Sequence, residues 1–190
     1  MEFLRKSLIF CLSLVIGIEG YTTQPSMHDW EYELKSLETQ SSNTDLVQFY
    51  DMSIVRVSRG VYACAGTLFL NYDIVEGDSN EMEMITSYSN NPNRDFGRIP
   101  FSMPRKHFFE FMNGFYKNGL MSSLKECSDF PIFEGDFVPP LEKRNYTMNN
   151  CIFSKEGFPK HFKDGFYKVD IIVVGDVDWS LHFLLEIERI

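Results

Sequence analysis

The sequence predicts an all-β, mainly antiparallel fold that forms a cup or sandwich with one short helical segment near residues 104–126. Several stretches alternate apolar and polar residues with period two, as strands do when one face is buried. Short turn-forming stretches separate them, without the interposed helices that parallel strands need. Only one segment of the chain places its apolar residues at helical spacing.

Residues 1–20 have the pattern of a secretory signal peptide. Two basic residues precede residues 7–18, which are almost entirely apolar but fewer than the roughly 20 needed to cross a bilayer. Cleavage is expected after Gly20, with Gly17 as a second small residue, and a retained membrane anchor is the alternative reading. No later segment is long and apolar enough to span a membrane, so we expect residues 21–190 to form one secreted domain.

The first half of the mature chain contains four alternating segments. Residues 30–38 place two aromatic rings and a leucine on one side. Residues 46–60 and 61–74 flank a Ser-Arg-Gly stretch that is typical of a hairpin turn. Residues 81–89 alternate again, and residues 89–97 predict a loop because they are rich in Asn, Pro and Gly. This order of strands and turns indicates an antiparallel body.

The helical segment is unusually aromatic. Pro104 suits a helix start, while Gly114 and Gly119 weaken the helix, so two short helices are an alternative. The apolar side chains occupy more of the circumference than one packed stripe requires, so some must meet a second surface: a cavity, a membrane or a partner. These side chains are Phe108, Phe109, Phe111, Met112, Phe115, Tyr116, Leu120 and Met121.

Residues 158–190 predict two paired strands joined by a Gly-Asp-Val-Asp hairpin loop, which we favour over a cation-binding loop because further ligands are absent. In the last strand, apolar residues from Trp179 to Ile187 alternate with polar residues that include Ser180 and His182. We expect His182 to face solvent. The apolar face covers either an ordinary core or a cavity for a ligand.

An extracellular location determines how the cysteines and one sequon are interpreted. Cys11 leaves with the signal peptide, so three cysteines remain and at least one has no intramolecular partner. Cys127 and Cys151 enclose an irregular stretch that a disulfide would restrain, whereas Cys64 lies in an apolar run typical of a buried thiol; other pairings stay open. Asn145 begins an Asn-Tyr-Thr sequon and is a candidate glycosylation site.

Charge and motif content argue against several functions. The net charge is −9 and there is no run of Lys or Arg, which disfavours nucleic acid and anionic lipid surfaces as partners. Hydrolase, metalloprotease and phosphate-loop motifs are absent, and the four histidines lack metal-ligand spacing. We therefore expect no enzyme activity, no metal and no cofactor. A hydrolase with an unrecognised site is the weakest hypothesis.

Six residues near the C-terminus follow a spaced pattern: Pro140, Leu141 and Tyr146, then Pro159, Gly165 and Tyr167. This pattern resembles the ganglioside-activator type of secreted lipid-binding β-cup. The length, the signal peptide and the Phe-rich middle more closely resemble the insect chemosensory proteins known as CheB. The last strand contains no cysteine, unlike that of the activator, so neither the activator's disulfide framework nor its ganglioside ligand is carried over.

The resemblance implies a β-cup with an apolar interior, and a function in binding or presenting hydrophobic cuticular signals during gustatory pheromone perception. Pro159 would end a strand, Gly165 would allow a tight entry to the next, and Tyr167 would cap an edge with its hydroxyl in solvent. The alternative is a secreted interaction module that modulates a receptor or channel on sensory cells. The candidate ligand-binding residues are Phe108, Phe111, Met112, Phe115, Tyr116, Leu120, Tyr167, Trp179 and Phe183.

Overall fold

A computed structural model describes residues 28–190, so the predicted signal peptide lies outside the described residues. All the strand pairings in this part of the chain are antiparallel, which confirms the predicted all-β class. The strands are β1 (Trp30–Ser41), β2 (Val47–Ser58), β3 (Val61–Leu70), β4 (Glu81–Ser89), β5 (Gly97–Arg98), β6 (Met103–His107), β7 (Asn145–Cys151), β8 (Gly165–Val174) and β9 (Trp179–Arg189).

The strands form two sheets. The larger sheet has the order β1-β9-β8-β4-β5, with β6 also paired to β4, and the smaller has the order β2-β3-β7. The predicted hairpins are present: β2 turns into β3 at Gly60, whose φ of +74° favours glycine, and β8 turns into β9. The larger sheet presents its apolar face to the smaller sheet and to the helical segment, and the interior of the protein lies between them.

The helical segment begins later than predicted and is built differently. Pro104 lies in β6, an edge strand where a missing N–H is tolerated, so the predicted helix start is wrong. The segment runs through α1 (Phe108–Phe111), a π-helix (Met112–Leu120) and α2 (Met121–Leu124). Gly114 and Gly119 therefore lie inside one π-helix and do not separate two helices. No helix within residues 28–190 has the length and apolarity needed to cross a membrane.

A second surface for the aromatic helix is provided by residues 128–144, the aromatic loop. The ring of Phe137 stacks on Phe109 at 5.7 Å between centroids, and the ring of Phe133 stacks on Tyr116 at 6.1 Å. The Tyr116 hydroxyl also donates to the Pro131 carbonyl at 2.7 Å. The helical segment thus packs between this loop and the interior, which accounts for its wide apolar circumference.

The disulfide prediction is confirmed. Cys127 and Cys151 are bonded, with 5.3 Å between their Cα atoms. Cys64 is a free and fully buried thiol that lies opposite Cys151 in the β3–β7 register. Burial raises the pKa of the Cys64 thiol to about 12, so the thiolate needed for exchange with the neighbouring disulfide is scarce at neutral pH.

Candidate functional site

The interior of the protein contains an apolar cavity of about 210 Å³. One wall is the inner face of the larger sheet, and the opposite walls are the helical segment and parts of the smaller sheet. On the β9 strand, the inner-face residues Trp179, Leu181, Phe183, Leu185 and Ile187 all line it. The apolar face of the last strand therefore borders a cavity as well as the surrounding hydrophobic core.

The accessibility of the sheet residues shows that protein atoms do not fill this space. Leu181, Phe183 and Leu185 lie on the inner face of a central strand, yet each is only partly buried. Side chains at such positions in a close-packed core are normally inaccessible. Their remaining accessible surface is apolar area that a ligand would remove from water.

The nine candidate residues from the sequence all lie on this one cavity. The helical segment contributes six of them, β8 contributes Tyr167, and β9 contributes two. Within the π-helix, hydrogen bonds run from residue i to i+5, so the face that repeats on the cavity side has a spacing of four to five residues. Phe115 and Leu120 follow this spacing, Phe111 of α1 lies four residues before Phe115, and all three line the cavity.

The sequence did not identify the segment that closes one side of the cavity, residues 152–164, which we name the closing segment. It has no regular secondary structure, and its Phe153, Phe158 and Phe162 side chains line the cavity. The Phe158 ring meets Phe115 of the π-helix edge-on at 6.1 Å. Because these phenylalanines follow neither strand nor helix periodicity, no pattern in the sequence indicated that they face inwards.

Polar contacts attach the closing segment to the start of β1. The Trp30 indole N–H donates to the Pro159 carbonyl at 2.9 Å, and the Lys155 ammonium donates to the Trp30 carbonyl at 2.9 Å. His161 forms a 2.9 Å contact with the Asp29 carboxylate. This contact, assisted by Arg189, holds the pKa of Asp29 below its usual value. These contacts hold one part of the closing segment against β1, and other hydrogen bonds join the segment to the helical segment and to β4.

Two predictions from the resemblance are corrected, and a third is met. Tyr167 is buried, and its hydroxyl is not in solvent as predicted. The hydroxyl donates to the Lys163 carbonyl at 2.8 Å and accepts from the Lys163 N–H at 3.1 Å. Burial raises its pKa. Pro159 lies in the closing segment and ends no strand. Gly165 does begin β8, with a φ of +138° that favours glycine.

The polar side chains in the cavity wall are almost all paired with the protein itself. Trp30 and the three tyrosines donate to backbone carbonyls, and Ser154 accepts from the Glu156 N–H. The Trp179 indole N–H lies beside the buried Tyr72 hydroxyl, although the two are outside hydrogen-bond geometry. Thr86 is a further exception, because its hydroxyl has no hydrogen-bond partner. Among residues 28–190, no Lys, Arg, His, Asp or Glu lines this cavity, so the described part of its wall offers mainly apolar contact.

His182 lies on the polar outer face, as predicted, and its partly exposed side chain also has hydrogen-bond partners. On the outer face of the larger sheet, its Nε2 lies 2.8 Å from the Ser180 hydroxyl and its Nδ1 lies 2.8 Å from the Asp170 carboxylate. The order Ser-His-Asp is that of a hydrolase triad. However, β9 is paired on both sides, so its backbone N–H groups are used in the sheet and supply no oxyanion hole at Ser180. We read the three side chains as a surface hydrogen-bond network.

Comparison with known proteins adds one finding. Residues 82–169 match a family model described as "Protein of unknown function (DUF1091)". The matched region, less than half of the chain, runs from β4 into β8 and includes the whole helical segment, the aromatic loop and the closing segment. No curated protein matches this chain. Within residues 28–190, no group of three or more His, Cys, Asp or Glu side chains could hold a metal ion.

Proposed function

We propose that this protein is a secreted, non-enzymatic binding protein that holds one hydrophobic molecule, such as a lipid or a hydrocarbon pheromone, in the cavity between its sheets. The unfilled apolar cavity is the observation that carries this proposal. Its wall is almost entirely carbon. Its polar groups form hydrogen bonds within the protein, except the Trp179 N–H, which lies beside the Tyr72 hydroxyl, and the Thr86 hydroxyl. Such a site recognises a ligand by removing apolar surface from water.

The cavity volume sets the size of the ligand. A volume of 210 Å³ accommodates on the order of 15 water-sized groups, at roughly 10–15 Å³ for each. Burial of a methylene group is worth about 0.8 kcal/mol, so a chain of about 15 carbons gains roughly 12 kcal/mol before the cost of association. Association costs at least about 4 kcal/mol, which leaves at most about 8 kcal/mol, an affinity in the micromolar range or weaker. One alkyl chain fits this estimate better than a two-chain lipid.

The resemblance to CheB proteins supports a more specific proposal, a role in gustatory pheromone perception in an insect. The matched family model names no function, so this role rests on the residue pattern and on the cavity. The exposed position of Asn145, at the start of edge strand β7, leaves room for a glycan and suits an extracellular protein.

One observation favours the second candidate, an interaction module for a receptor or channel on sensory cells. The aromatic loop exposes two aliphatic side chains, Ile132 at 47% and Val138 at 80% of their surface. Exposed apolar side chains on an ordered loop are a common feature of protein interfaces. This candidate requires no ligand in the cavity.

Native mass spectrometry of the protein secreted from insect cells tests the proposal. We expect a mass increment from a co-purified hydrophobic molecule, which organic extraction should release. The melting temperature should then rise when alkyl chains of about 15 carbons are added back. An Asn145→Gln variant removes the glycan increment and leaves the ligand increment unchanged. A secreted wild type that carries no ligand, and whose melting temperature is insensitive to a broad lipid panel, would refute the binding proposal and leave the interaction module.

A further inference from the structure

Of the hydroxyl groups that residues 28–190 contribute to the cavity wall, that of Thr86 alone has no hydrogen-bond partner. It lies on β4, with Val169 of β8 directly opposite in the register, followed by Phe183 of β9. Both of these neighbours also line the cavity. The residue is 1% exposed, and its Oγ1 atom has less than 1 Å² of accessible surface and no hydrogen bond.

The surrounding structure does not satisfy this hydroxyl. Ser102 accepts from the Thr86 backbone N–H at 3.0 Å and donates to the Ile99 carbonyl at 2.9 Å. The Thr86 carbonyl in turn accepts from the Ile99 N–H at 2.9 Å. Ser102 is therefore occupied by backbone groups. A buried donor left without an acceptor destabilises the fold, and a valine of the same shape would avoid that cost.

We propose that the ligand is an alkyl chain that carries one neutral oxygen group, a ketone, ester or alcohol, and that this oxygen accepts a hydrogen bond from the Thr86 hydroxyl. This inference rests on the proposed binding function and specifies its ligand. A rotation of about 120° about χ1 moves a threonine hydroxyl to the position of its methyl group without moving the backbone, and by this rotation the Thr86 hydroxyl would reach the ligand.

The charge of the wall selects a neutral oxygen over a carboxylate. In the part of the chain that the structure describes, no cationic side chain lines the cavity. Lys155, which attaches the closing segment to β1, already contacts Glu31 at 2.7 Å and the Trp30 carbonyl. A carboxylate beside Thr86 would be buried without a counter-charge, which is strongly unfavourable, whereas a carbonyl or hydroxyl needs only one hydrogen bond.

A binding series with two substitutions tests the inference. The probes are tridecane, tridecanoate, and three tridecanones that carry the carbonyl near one end, a quarter of the way along, or at the middle of the chain. They are measured by displacement of a fluorescent apolar dye from the full mature protein. One ketone position should be preferred, because a hydroxyl fixed in the wall reaches only one part of a bound chain.

Thr86→Val should weaken the preferred ketone about fivefold, the effect of one net hydrogen bond, and should leave tridecane binding unchanged. Thr86→Ser, which keeps the hydroxyl, should retain the ketone preference. Both variants are compared by thermal melting, where Thr86→Val should be at least as stable as wild type.

The outcomes separate this inference from the proposed function. If the probes bind and Thr86→Val changes the affinity for tridecane and for every ketone by the same factor, the role of Thr86 is refuted while the cavity remains a binding site. The same conclusion follows if tridecanoate binds wild type more tightly than every ketone does. If wild type binds none of the probes, the binding function itself fails, and this inference fails with it.

Discussion

Removal of the Phe115 side chain should lengthen the chain that the cavity accepts. Phe115 lies on the π-helix and lines the cavity, and it is only partly buried although its ring contacts Phe111 at 5.8 Å and Phe158 at 6.1 Å. Phe115→Ala deletes six ring carbons that border the empty volume. The space they leave is continuous with the cavity, so a ligand can occupy it if the neighbouring rings do not collapse.

The expected magnitude follows from the burial of methylene groups. Each methylene removed from water contributes about 0.8 kcal/mol, which is close to a fourfold gain in affinity. In wild type this gain should continue to a chain of about 15 atoms and then stop. In Phe115→Ala the gain should continue for about five further atoms. Because Phe115 is partly exposed, the variant should lose less free energy of unfolding than the roughly 3–5 kcal/mol typical of a fully buried Phe→Ala.

The assay is competitive displacement of a fluorescent dye by a homologous series of unbranched alcohols. Each alcohol is measured against every protein, so its solubility cancels when the proteins are compared at one chain length. Phe69→Ala is the matched control, because Phe69 is a partly buried phenylalanine of β3 that does not line the cavity. Its affinity should stop rising at the wild-type length. An identical length limit in wild type and Phe115→Ala, with both proteins folded, would show that Phe115 does not bound the ligand and would contradict the cavity assignment.

Three further predictions concern the cysteines and the closing segment. Cys64, with its pKa raised to about 12 by burial, should resist alkylation in the native protein and react fully in denaturant; rapid native labelling counted by mass spectrometry would contradict its burial. Replacement of Cys127 and Cys151 by serine should lower the free energy of unfolding by about 3 kcal/mol, measured by urea denaturation, because the bond closes a 24-residue separation. The contact with His161 holds the pKa of Asp29 below its usual value of 3.8, so the contact stabilises the closing segment above that pH and is lost as the pH falls through the lower pKa of the folded protein. In wild type, hydrogen exchange in the closing segment, relative to its intrinsic rate, should accelerate as the pH falls below about 4. In Asp29→Asn, this relative rate should depend less on pH. Equal pH profiles in the two proteins would show that the Asp29–His161 contact does not hold the segment.

Local patterns predicted the sheets better than they predicted the helical segment. The bounds 81–89 agree with β4, and the turn before Val61 is where the sequence placed it. By contrast, Pro104 suggested a helix start, but pairing of residues 103–107 with β4 fixed that stretch as a strand. Because a proline is tolerated both at a first helical turn and in an edge strand, only the tertiary pairing distinguishes the two.

The π-helix likewise had no clear sequence signal. Its apolar residues fit α-helical spacing nearly as well, since spacings of four occur in both, and its two glycines suggested a break. Packing resolved the ambiguity, because the segment contacts the aromatic loop on one side and the cavity on the other. The wider turn brings Phe115 and Leu120 to the same cavity.

By itself, the sequence determined which faces of the strands are apolar, that a Cys127–Cys151 disulfide would restrain an irregular stretch, and which nine side chains are candidates for ligand contact. Period-two alternation arises from the geometry of a single strand, so it can be read from neighbouring residues. Only the tertiary structure decided that the β9 face borders empty volume, that Phe158 closes it, and that the Thr86 hydroxyl is unpartnered while that of Tyr167 is paired. These features depend on atoms from segments far apart in the chain, and an apolar face has the same local pattern whether packed side chains or a cavity lie opposite it.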